Sequence, residues 1–152
     1  MAVSTVAPAF KNAFAAAAES LWTNTDVQVA FGHPGMTQAG DIVAFGRIAS
    51  AQEFAAYGSN RPREETLTLE VVFSIYRGGG PEMEKVASDR AYALLGELEL
   101  YARVTDTTIG GTVRHCSLLS HESDGATDPE ILAAGRLIEI TAQFVAQVRI
   151  TS

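Results

Sequence analysis

The residue pattern predicts an α+β fold: a largely antiparallel sheet of about four to five strands, with two main helices packed on one face. Two long alternating runs carry the prediction, one over residues 64–77 and one over residues 136–150. In the first, Leu67, Leu69, Val71, Phe73 and Ile75 alternate with Thr66, Thr68, Glu70, Ser74 and Tyr76. In the second, Ile138, Ile140, Ala142, Phe144, Ala146, Val148 and Ile150 alternate with Glu139, Thr141, Gln143, Gln147 and Arg149. A period of two marks a strand with one buried face, and each run is about twice the usual 5–6 residues. The third observation is helical spacing elsewhere, which supplies the layer that such strands must pack against.

The first helix is expected over residues 8–22, where Phe10, Phe14, Ala17 and Leu21 recur at i, i+4, i+7 and i+11. Pro8 suits its first turn, where a missing N–H costs nothing. Residues 27–31 and 41–48 are short apolar runs around Gly32-His33-Pro34-Gly35 and read as a strand pair joined by a long hairpin loop. Residues 52–57 fit either a helical turn or the tail of a strand, and 58–62 a loop. The long strand over 64–77 stops at three glycines, and Pro81 opens the second helix with Glu82 and Glu84 at its positive end. Its buried stripe is expected to be Met83, Val86/Ala87, Ala91, Leu94, Leu98 and Tyr101. Gly96 costs that helix about 1 kcal/mol relative to alanine, which suggests close packing there. A strand over 113–122 follows the Gly110-Gly111 turn. Asp128-Pro129-Glu130 reads as the cap of a short helix before the closing strand.

At 152 residues without repeat or linker, the chain is expected to form one domain, 1–152. Its formal charge is −7, with Lys11 and Lys85 the only lysines. That balance excludes a protein that grips nucleic acid through clustered cations, though not one past which DNA slides. With a single cysteine, Cys116, no intrachain disulfide forms. The opening Met1-Ala2-Val3 has no basic residue, and the apolar stretch 13–18 is short and ends at Glu19. Neither a signal peptide nor a membrane span is expected, and assembly in a cytosol is.

The candidate chemistry is sparse. Gly78-Gly79-Gly80 lies between a strand and a helix, but Pro81-Glu82-Met83-Glu84 replaces the Lys and Ser/Thr of a phosphate loop. Asp124–Asp128 is too short for an EF-hand loop, and His33-Pro34-Gly35 has no central serine for a nucleophile elbow. His115 and Cys116 are adjacent in a strand and point to opposite faces, whereas His115, Ser117 and His121 are expected to share one. An enzyme built on that face would use His115 or His121 with an acid such as Asp106. No cofactor or metal is expected. Arg61-Pro62-Arg63-Glu64-Glu65 is the one dense charge cluster, either a solvated strand entrance or a contact between subunits.

The order of elements, with Asp41-Ile42-Val43-Ala44-Phe45-Gly46-Arg47-Ile48 and Arg63-Glu64-Glu65-Thr66-Leu67-Thr68-Leu69-Glu70-Val71-Val72 in place, resembles the tail terminator proteins of long-tailed siphophages, including those of actinobacterial hosts. The resemblance runs over nearly the whole chain and rests on patterns of residue type. It implies a homohexameric ring in the virion, assembled in the host cytoplasm. The ring caps the tail tube protein, joins the tail to the head–tail connector or stopper, and lets DNA through its pore. No catalytic residues carry over. Under that resemblance, His33, Arg61, Arg63 and Glu64 are expected at contacts between subunits, and Glu64, Glu65 and Glu70 near the lumen. Another neck or tube protein of the same particle, a small cavity-forming enzyme and a ligand-binding module are the competing readings.

Overall fold

A computed structural model describes residues 4–32, 40–55, 61–125 and 135–151. The element order is α1 (Ala7–Leu21), β1 (Val27–Phe31), β2 (Asp41–Phe54), β3 (Arg63–Gly78), α2 (Met83–Leu100), a π-helical turn (Tyr101–Thr105), β4 (His115–Gly125) and β5 (Gly135–Ile150). The five strands form one sheet in the order β1-β2-β3-β5-β4. The α+β architecture therefore stands as expected, with both helices on one face of a largely antiparallel sheet.

The two long alternating runs become the central pair, β3 and β5, in unbroken register from Arg63↔Ile150 to Gly78↔Gly135. Their apolar rows, Leu67 to Ile75 and Ile138 to Ala146, form the floor of the core. The opposite row, Thr66 to Tyr76, is half-buried throughout. Phe14 of α1 fills the centre, edge-on to Phe45 at 5.4 Å and to Phe144 at 5.2 Å. Such edge-to-face pairs contribute about 0.5–1.5 kcal/mol beyond the area that they bury.

Several expectations are corrected. β1 and β2 are parallel, Val27↔Asp41 to Phe31↔Phe45, and so are not a hairpin. Nine residues separate the two strands, enough chain to span about 30 Å, whereas a five-residue strand needs a return of only about 17 Å. Residues 52–54 belong to β2, which runs antiparallel to β3 as far as Phe54↔Arg63. The Ala55 N–H donates to the Pro62 carbonyl at 2.8 Å and draws this long hairpin together. The buried side of α1 is Phe10, Phe14, Ala15 and Ala18, with Leu21 exposed and Trp22 buried in its place. In α2, Leu95 joins Ala87, Ala91, Leu94 and Leu98 inside, while Val86 is exposed. Gly96 faces open space, so no close approach requires it. The expected short helix after Asp128 lies outside the described residues.

The two strands flanking the central pair each carry one extra residue. In β2 the register shifts between Phe45 and Ile48; in β4 it shifts between Leu118 and Ser120. A bulge leaves one residue unpaired, bends its strand and reverses the side on which later residues fall.

Candidate functional site

The charge cluster at the entrance of β3 resolves into two separate sites, because Glu64 and Glu65 point to opposite faces. Glu64 lies on the open face, where Arg114 reaches its two oxygens at 3.2 and 3.3 Å and Arg149 donates to it at 3.2 Å. The Arg114 hydrogen bond, with Arg149 behind it, holds this carboxyl below the usual glutamate range. Glu64 is thus already neutralised by two arginines of its own chain.

Glu65 contradicts the expectation that it lines a channel. It is 0% exposed, on the helix side of the sheet, and acts as the anchor of the N-terminal segment. Thr5 and Ser50 hydroxyls donate to it, as do the Val6 N–H at 2.8 Å and the Gln52 amide at 3.0 Å. Val6 is the N-cap of α1, which has no acid in its own first turn and no side-chain cap bond. A carboxylate from β3 therefore supplies the negative charge that a helix N-terminus favours. Burial pushes the Glu65 carboxyl up, but its four hydrogen bonds outweigh that and hold it below the usual range.

Arg63 shares the face of Glu65 and donates to Gln52 Oε1 at 3.1 Å and to the Ser4 carbonyl. Arg61, at a backbone φ of +44°, places its guanidinium 5.9 Å from the ring of Phe54. Phe54 is 67% exposed at the end of β2. The Arg61–Phe54 pair thus forms a cationic, apolar knob at the end of the β2–β3 hairpin. Glu70 is half-buried on the open face, with Arg47 nearby across a small polar niche that Thr68 and Gln143 also line. His33 lies outside the described residues.

The two remaining histidines do not form a site. His115 pairs with Gln147 on the open face, whereas His121, beyond the β4 bulge, pairs with Ala142 on the helix side. The ring of His121 stands edge-on to Tyr92 of α2 at 5.5 Å. The extra residue, Leu119, breaks the shared face that simple alternation implies. Cys116 is buried, and burial pushes its thiol up to about 12, which leaves it protonated and unreactive at neutral pH. Asp106 turns inward on its own loop: the Gly110 N–H, Thr108 and the Tyr101 hydroxyl donate to it. The Gly110 bond leads in holding its carboxyl low.

No family model and no curated protein matches this chain. Among the described residues, no three His, Cys, Asp or Glu side chains gather where a metal could sit, and no helix is long and apolar enough to cross a membrane.

What the arrangement leaves open is two sheet edges. β1 covers β2 only from Asp41 to Phe45, so among the described residues the remaining nine positions to Phe54 form an open edge. β4 is the opposite edge, with Leu119 59% exposed upon it. Exposed edges of this length are templates for pairing with another chain.

Sequence reading missed two features that hold this surface in place. Asp41, 4% exposed, receives Arg77 at 2.5 Å and Arg90 at 2.9 Å, tying the start of β2 to the end of β3 and the middle of α2. The second is the Glu65 anchor. Neither has a sequence signal, because the partners of Asp41 stand 36 and 49 residues away and those of Glu65 up to 60.

Proposed function

We propose that this chain is a structural protein of a long-tailed phage particle: a tail terminator that closes into a ring, of six copies by the family resemblance. The ring caps the tail tube, joins it to the head–tail connector or stopper and lets DNA pass. The observation that carries the reading is the two-sidedness of the sheet. One face bears both helices and the core; the other is a broad half-buried surface, Thr66 to Tyr76 and its neighbours, with no helix over it among the described residues.

That open face carries Glu70 and Glu139, and the chain as a whole is acidic at −7. Turned toward a pore, such a surface would repel phosphates and let DNA slide without adhering. Of the three acids expected near a lumen, Glu70 fits this role best, since Glu64 is held by arginines and Glu65 is buried. Against the cavity enzyme, Asp106 is bonded by Gly110, Thr108 and Tyr101 around its own turn, and His121 stands against Tyr92.

The decisive experiment is removal of the chain from a phage that encodes it. The terminator reading expects tails of unregulated length, detached from filled heads. Tails of normal length that fail to join heads would overturn it in favour of a stopper.

A further inference from the structure

On the helix side, α1 and the end of α2 leave a groove of about 540 Å³ between them. Ala13, Ala16, Ala17, Leu21 and Leu100 are among its apolar lining, and its acids are Glu97 and Asp106. Leu21 and Leu100 are exposed large side chains, and no basic residue lines the groove among the described residues. Both acids are engaged by neutral donors. The Trp22 indole N–H donates to Glu97 at 2.5 Å, and Tyr101, Thr108 and Gly110 bond Asp106. These bonds orient the carboxylates without cancelling their charge.

The same chain carries an exposed pair of opposite character. At the end of the β2–β3 hairpin, exposed Phe54 lies beside the guanidinium of Arg61. Residues 55–62 contain one charge, Arg61 itself. An aromatic ring paired with a cation is the anchor type that dominates protein interfaces, and an apolar groove edged by uncompensated acids is its complement.

We infer that the Phe54–Arg61 knob of one copy seats in the α1–α2 groove of the next, the ring of Phe54 on Ala17, Leu21 and Leu100 and the guanidinium of Arg61 toward Glu97 and Asp106. Knob and groove are different patches, so the contact is heterologous and each copy keeps one of each free for its neighbours. The inference rests on the proposal that the chain assembles with itself and specifies the surfaces. It also distinguishes Arg61 from Arg63, whose donors are spent on Gln52 and the N-terminal segment of the same chain.

The test is cysteine trapping between two single variants of the full chain, Ala55→Cys beside the knob and Ala16→Cys in the groove, mixed and oxidised. Cys116, buried with its thiol pushed up to about 12, stays out of the exchange. The expected result is a covalent pair in the mixture, together with a ladder reaching the full ring in the double variant. Arg61→Glu should weaken association about tenfold, the effect of losing one interface ion pair, and Glu97→Arg in the same chain should restore it. Oligomers of the wild type, with no cross-link in the mixed variants, overturn the knob-in-groove contact and leave self-assembly standing. A ladder that stops at two copies supports the contact and overturns the ring. Protein that neither associates nor cross-links at high concentration overturns both.

Discussion

Glu70 and Gln143 face each other across the two central strands in the one row where both neighbouring strands carry an extra residue. On one side Gly46 and Arg47 together stand opposite Glu70; on the other, Leu119 is inserted just before Ser120, the partner of Gln143. Bulges bend a strand and strengthen its twist. With β3 and β5 regular between them, the two bulges place a common line of curvature across the sheet, and on the open face Glu70 marks it.

The β4 bulge makes a prediction about the two histidines. Because Leu119 turns His121 toward α2, Tyr92→Ala removes the ring stacked edge-on to it. The NMR resonances of the His121 imidazole should move by ring-current loss while those of His115 stay in place. Equal responses from both would mean that they share a face and that the bulge is absent.

Glu65 joins the N-terminal segment to the sheet, so its loss should be felt over both. Glu65→Ala leaves Ser50, Thr5, Gln52 and the Val6 N–H without their acceptor. A cost of about 2–4 kcal/mol in denaturant unfolding is expected from hydrogen bonds made to a charged group. A cost under about 0.5 kcal/mol would show that water replaces the carboxylate and that the anchor is incidental.

Acid stability follows from the same group and from Asp41. Burial pushes the Asp41 carboxyl up, but its bonds and charge contacts with Arg77 and Arg90 bring it below 3.8, and Glu65 lies below 4.5. Groups with depressed folded values contribute stability above their unfolded values, and it is lost as pH falls through the folded ones. Stability should therefore hold at neutral pH, begin to decline near pH 4.5 and fall further below pH 3.8. Glu65→Gln and Asp41→Asn should each flatten that acid limb. A limb as steep in both variants as in the wild type would assign the acid loss elsewhere.

Two glycines should respond in opposite directions. A Cβ at Gly96 meets nothing within 4 Å, so Gly96→Ala should stabilise α2 by about 0.5–1 kcal/mol. At Gly135 a Cβ would come within 2.4 Å of the Arg77 carbonyl oxygen and 2.7 Å of the Tyr76 hydroxyl. The backbone oxygen cannot swing away, so Gly135→Ala should cost about 1–3 kcal/mol by forcing the β3 and β5 ends apart. Thermal unfolding of the two variants measures both, and effects of the same sign would contradict the pairing at Gly78↔Gly135.

The long strands were legible because a core on one side imposes strict alternation, and Leu67 to Ile75 keep it without a break. The bulge was not, since Leu118-Leu119 reads equally well as an apolar pair in register. The parallel pairing of β1 with β2 was equally hidden: Val27 to Phe31 carries the same alternation whichever direction its neighbour runs. Gly96 misled for a different reason, because a helix interior tolerates an exposed glycine at a modest cost that leaves no mark on its neighbours. The candidate surface was half visible. Arg61 stands out in the sequence within its charge cluster, but Phe54 does not, and the groove is assembled from alanines of α1 and from the end of α2, whose meeting only the fold determines.

Whether copies of this chain close into a single ring is read from electron microscopy of the purified protein at high concentration, with and without magnesium. Closed sixfold rings that do not stack into tubes are expected. Open-ended tubes of repeating rings, or single chains under every condition, would contradict closure into a ring.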